Sequence, residues 1–284
     1  MKFTKLTAMI LAALLCAGML VSCTGEKKSS TEDKETVIEE KEEKRTEEGS
    51  DESVSKKEEV KATEKIEETT EPEETEPITE DIFVSENPTL VYGTETITFG
   101  AYEQDNNTSN GMEAIEWIVL AKEDGKVLVT SKYGLDVKPY NEEYAYVMWE
   151  DCTLRKWMNN DFYNTAFSES EKSQIETTYV VNDGNEEYGT TGGNDTNDKV
   201  FLLSADEVEE YFNEGEECCK PTEYCKSLDV YTNLSKCRWW LRTPGINPFY
   251  TTYVFANGFI SDNGNDVDNG DSAVRPAMWI SLEG

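Results

Sequence analysis

Residues 82–284 predict an α+β domain built on a mainly antiparallel sheet with flanking helices. Three observations point there: strand-like apolar runs at both ends of the region, a helix-spaced apolar set in its middle, and the hairpin dipeptide Asp124-Gly125. Two stretches of different character, residues 1–22 and 23–81, come before it.

The chain opens with Lys2 and Lys5 ahead of an apolar run from Ala8 to Val21. That length suits the core of a signal peptide and is too short to cross a hydrocarbon layer of about 30 Å. The run ends in Leu20-Val21-Ser22-Cys23, which resembles a bacterial lipobox. The resemblance implies that residues 1–22 are a lipoprotein signal peptide and that Cys23 carries the lipid. The chain would then be exported and anchored to the outer face of the bacterial cytoplasmic membrane.

From residue 23 to 81 the sequence is dominated by Glu, Lys, Thr and Ser and has no aromatic residue. Such a segment cannot bury enough apolar surface to offset its ordering entropy, so a disordered acidic tether is expected. Residues 24–81 hold 23 acidic and 10 basic side chains, in a chain of net charge −33. The remaining acidity lies in the folded region. A domain of that sign repels nucleic acid and anionic headgroups, so no nucleic-acid partner is expected.

Within the folded region, Ile97–Tyr102 and Ala114–Leu120 read as strands, and Asp124-Gly125 joins the second to Lys126–Thr130. Leu154, Trp157, Met158 and Phe162 then fall at helical spacing, with Asp151 or Thr153 placed to cap the start. Ser168 with Glu171 and Ser204 with Glu207 make capping boxes for two further helices, the latter after an apolar strand Val200–Leu203. The last third returns to strands at Trp239–Arg242, Thr252–Phe255, Phe259–Ile260 and Val274–Ile280.

Five blocks carry a resemblance: Ile97-Thr-Phe-Gly with Ile115-Glu-Trp-Ile-Val-Leu120, Thr153-Leu-Arg-Lys-Trp-Met-Asn159, Asp198-Lys-Val-Phe-Leu-Leu-Ser204, Trp239-Trp-Leu-Arg-Thr-Pro-Gly245 and Val274-Arg-Pro-Ala-Met-Trp279. Together they resemble an uncharacterised family of bacterial extracytoplasmic domains. The tail is also similar, more distantly, to C-type-lectin-like folds, including formylglycine-generating-enzyme-like domains. That similarity implies a C-type-lectin-like domain whose last strands frame a ligand-facing loop surface. The copper-binding cysteines of formylglycine-generating enzymes lie near the end of the fold, whereas no cysteine follows Cys237 here, a departure that argues against oxidase chemistry.

The chain has no histidine, which removes His-dependent triads and His-containing metal sites. Of its cysteines, Cys152, Cys218, Cys219, Cys225 and Cys237 lie in the folded region, without the Cys-x-x-Cys pairs of a four-thiolate site. Any disulfide is expected to join Cys225 or Cys237 to the Cys218-Cys219 pair. Catalytic residues are not legible; an envelope enzyme using paired carboxylates and a non-catalytic assembly protein stay open as alternatives.

The run from Asn257 to Asp271 places Asn257, Asp262, Asn265, Asp266, Asp268 and Asp271 close together. These residues could offer oxygen ligands to calcium, or form Asx-rich turns; no EF-hand register fits them. No other cofactor is expected. Just upstream, Phe249, Tyr250 and Tyr253 read either as rings that stack on a ligand or as core. Trp157, Trp239, Trp240 and Trp279 read as core. Arg242 and Arg275 sit in apolar strands and need buried acceptors, with Glu116 as the expected partner. The expected function is a cell-surface binding module for an extracellular glycan or protein, held to the lipid membrane through Cys23.

Overall fold

The computed structural model describes residues 81–282. The targeting segment, Cys23 and the tether up to residue 80 lie outside the described residues. Among the described residues no helix is long and apolar enough to cross a membrane.

The domain is mixed α+β, mostly sheet with short helices. Its first sheet is antiparallel and has four strands in the order Ala277–Ser281, Lys126–Ser131, Glu113–Glu123 and Thr89–Tyr102. Asp124 and Gly125 both take left-handed backbone, at φ 48° and 76°, as a two-residue hairpin turn requires. Along Glu113–Glu123 the side chains alternate: Ile115 and Trp117 are fully buried, and Glu116 between them faces outward. Gly100, at φ +69°, lies so close to the Phe167 ring that a Cβ would sit 2.6 Å from it.

A second sheet has five strands in the order Ile260–Asp266, Tyr250–Val254, Trp239–Pro244, Ala273–Val274 and Asp136–Val137. Two stretches of chain cross from one sheet to the other side by side. Val274 pairs with Asp136 in the second sheet, and three residues later Ala277 pairs with Thr130 in the first. Arg275 and Pro276 occupy the crossing. The Pro276 carbonyl accepts from the Ser131 amide at 2.9 Å and the Thr130 hydroxyl at 3.2 Å.

Arg275 is 1% exposed. Its Nε donates to the Ser131 carbonyl at 2.9 Å and its Nη1 to the Glu217 carbonyl at 3.1 Å. The guanidinium lies 4.7 Å from the Trp239 ring centre and 5.0 Å from that of Phe212. Its acceptors are thus carbonyls and ring faces, and the expected partner Glu116 pairs instead with Lys132 at 3.1 Å on the surface. Strand alternation is the reason, since it turns Glu116 away from the core. Arg242 does find a carboxylate, but it is Glu207, held by both guanidinium ends. Arg242 also donates to the carbonyls of Leu202 at 2.8 Å and Val181 at 3.0 Å.

The central helix runs Thr153–Trp157, continues as a π-helical turn over Met158–Phe162, and finishes at Tyr163–Ala166. Its cap is Cys152, whose Sγ accepts from the Arg155 amide at 3.3 Å. Neither expected residue takes that role; the Thr153 hydroxyl accepts from Glu142 N at 3.0 Å. Within the π turn, Asn159 accepts from Lys199 N at 2.8 Å and donates to Val200 O at 2.8 Å and Arg155 O at 3.1 Å. A side chain tied in this way loosens the regular ladder. One turn earlier, Arg155 meets the buried Asp198 at 2.6 Å, and Asp198 also accepts from Trp149 Nε1 at 2.9 Å.

Both capping boxes form, opening the helices Glu169–Lys172 and Ala205–Tyr211. Val200–Leu203 is buried, yet only Phe201 pairs, bridging to Ala277. The expected strand is therefore a single two-bond clasp. Trp239, Trp240 and Trp279 are core, as the sequence suggested, and Trp157 is half-buried beneath Lys138, 4.6 Å away.

Candidate functional site

At one end of the second sheet, the chain between Trp239–Pro244 and Tyr250–Val254 folds back tightly. Gly245 N donates to Tyr250 O at 2.7 Å, and Ile246 N to Asn263 O at 3.0 Å. A Cβ on Gly245 would lie 2.5 Å from the Asn263 carbonyl oxygen, so the approach demands glycine. The Asn247 side chain then accepts from Phe249 N at 2.9 Å, an Asx turn that presents Phe249 and Tyr250.

A second segment is fastened beside this loop. Asn141 N donates to Val267 O at 2.8 Å, Asn141 Oδ1 accepts from Thr153 N at 3.1 Å, and Val147 N donates to Pro248 O at 3.1 Å. Between these anchors stand Tyr144 and Tyr146, 53% and 63% exposed. Tyr144 lies 5.1 Å and Tyr146 6.2 Å from Phe249, ring centre to ring centre. The Tyr250 hydroxyl is held above its ordinary pKa by its hydrogen bond with Tyr144 and by nearby Asp266. Tyr144, Tyr146, Phe249 and Tyr250 thus make one aromatic platform with Asp266 at its border. Phe249, Tyr250 and Asp266 are legible from sequence. The two upstream tyrosines are not, and the signal that could have found them is three tyrosines within the polar stretch 140–146.

The other expected ligand residues do not join this surface. Tyr253 is 6% exposed and packs against Trp240 and Phe255, with the Arg238 guanidinium 5.0 Å away. Asp271 is held by Arg238. Asn257 closes a turn by accepting from Phe259 N at 3.2 Å. Asp262 and Asn265 belong to the edge strand Ile260–Asp266, with Asn265 opposite Thr251. Asp268 follows it, exposed.

Among the described residues the carboxylates that gather are Glu103, Asp105 and Glu113, with one oxygen of each within 4.8 Å of the others. They are already engaged in shaping their loop: Glu113 accepts from Gln104 N at 2.8 Å, and both Glu103 and Asp105 accept from Asn107 N. Asp262 is held above its ordinary pKa by partial burial and by Glu187 and Asp206. Burial, Asp206 and Asp262 do the same to Glu209.

All five cysteines of the described region are free thiols. Cys219 and Cys237 face one another across an antiparallel bridge, with Cys237 N donating to Cys219 O at 2.8 Å. Cys225 and Cys237 both crowd Gly134, where a Cβ would lie 3.2 Å from the Cys237 sulfur and 3.6 Å from that of Cys225. Burial pushes Cys152 up to about 12 and raises Cys225; Cys237 is raised by its hydrogen bond with Cys219 and by burial. These three are poor nucleophiles.

No curated protein matches the chain, and no solved structure matches it. A family model matches from the hairpin turn at Asp124 onward, so the strands Thr89–Tyr102 and Glu113–Glu123 precede the matched span, while the whole aromatic platform lies within it. With residues 124–282 matched, the chain belongs to the family described as Domain of unknown function (DUF6273).

Proposed function

We propose that this domain is a binding module for an extracellular glycan, with the aromatic platform as its contact surface. The observation that carries the reading is the grouping of Tyr144 and Tyr146 around Phe249, each in ring contact with it and each more than half exposed. Large rings left in water together mark an interaction surface better than scattered ones do. Flat rings suit the C–H faces of sugars, and the Tyr250 hydroxyl and Asp266 supply polar partners for sugar hydroxyls.

In the same reading the fold is C-type-lectin-like, with the ligand met by loops at one end of the second sheet. Cys23 anchors the chain to the membrane, and the acidic tether holds the platform away from it. The test is titration of the full chain against a panel of bacterial and host glycans, followed by Tyr144→Ala and Tyr146→Ala. Each substitution is expected to weaken binding about tenfold, the equivalent of ~1.4 kcal/mol, with melting unchanged. A silent glycan panel, or a hit indifferent to both substitutions, overturns the reading.

A further inference from the structure

A cavity of about 300 Å³ opens between the turn Ser85–Pro88, the strand Thr177–Val180 and the helix Ala205–Tyr211. That is the lower end of the range for small-molecule sites. No residue of the aromatic platform lines it, so its chemistry is independent of the glycan surface. Its lining includes four aromatic side chains, Phe201, Tyr211 and Trp279 nearly buried and Tyr179 half-open at the side, beside Pro88, Leu128, Val180 and Val181, and the Arg242 guanidinium lies 5.9 Å from the Phe201 ring centre.

Every charged residue lining the cavity is acidic. Glu207 is already neutralised by Arg242 and also accepts from Ser204 N at 2.9 Å. Glu86 and Glu210 are exposed, and no cation pairs with either of them among the described residues. Burial, Glu207 and Glu210 together raise the Tyr211 hydroxyl above its ordinary pKa.

Aromatic walls under a negative rim favour a cation with an apolar skin. A primary ammonium is strongly hydrated and needs acceptors at fixed positions. A quaternary ammonium donates no hydrogen bonds, loses less on leaving water, and is attracted by ring faces. We propose that this cavity binds a small quaternary ammonium compound, its methyl groups among Tyr179, Phe201, Tyr211 and Trp279, and its charge balanced by Glu86 and Glu210.

The test is calorimetric titration of the full chain with choline, alongside its neutral isostere 3,3-dimethylbutan-1-ol. Choline is expected to bind saturably and at least about tenfold more tightly than the neutral isostere, since ring and carboxylate attraction act on charge alone. Glu210→Gln, on an exposed helix face, is expected to weaken choline several-fold and leave the isostere unchanged. Equal affinity for choline and the isostere, or no choline binding at about 10 mM, overturns the proposal. Indifference to Glu210→Gln overturns the assignment of the rim.

Discussion

Arg275→Met is the perturbation whose outcome the fold specifies most closely. Methionine replaces much of the volume between Trp239 and Phe212, so the main loss is of two donors. The Ser131 carbonyl would be left without the bond now made at 2.9 Å, whereas the Glu217 carbonyl loses one at 3.1 Å but keeps that from Trp239 Nε1 at 3.1 Å. An unsatisfied buried group costs about 1–3 kcal/mol, which for one carbonyl centres near ~2 kcal/mol. For a domain of this size that corresponds to a fall in Tm of roughly 4–8 °C. The assay is urea and thermal unfolding followed by tryptophan fluorescence, which Trp239 beneath the guanidinium makes locally sensitive. Glu116→Ala is the control: its pair with Lys132 is exposed, and such pairs contribute about 0–1 kcal/mol. If Arg275→Met melts within about 2 °C of the parent, or if Glu116→Ala is equally damaging, then Arg275 does not pin the sheet junction through carbonyls.

Two further outcomes are expected. Alkylation of the native chain with mass mapping is expected to label Cys218 well before Cys152, Cys219, Cys225 and Cys237, which are buried; comparable native labelling of Cys219 would contradict that burial. Asp136, which accepts from the Tyr102 hydroxyl at 2.5 Å, is held above its ordinary pKa by burial, against the opposing effect of that hydrogen bond. A raised folded value means that its contribution is complete below the unfolded value of about 4 and is lost as pH rises through the folded one. Stability measured as parent minus Asp136→Asn is therefore expected to fall between pH 4 and pH 7; a difference flat across that window refutes the assignment.

Short-range features were legible in the sequence, because each is decided by a few neighbouring residues. The Asp124-Gly125 turn and both capping boxes are of this kind, and the core tryptophans follow from their apolar strands. Partners set by topology were not. Arg242 meets Glu207 on a helix 35 positions away, and Arg275 meets backbone carbonyls, which no side-chain pattern advertises. The platform was half legible for the same reason: Phe249 and Tyr250 stand beside a Pro-Gly turn, whereas Tyr144 and Tyr146 arrive from an irregular segment about a hundred residues earlier. The Asx-rich run reads by composition as loop, whereas pairing with Tyr250–Val254 makes much of it an edge strand.

The crossing at Arg275-Pro276 also sets the order in which this protein can be built. Thr130 and Pro276 are 146 positions apart, and the stretch they join completes both sheets. Until Ala277–Ser281 is in place, Lys126–Ser131 has no partner on that side, and an apolar strand edge lies open to any other chain. Yield on overexpression is therefore expected to depend on how that unfinished edge is sheltered as well as on the stability of the finished domain.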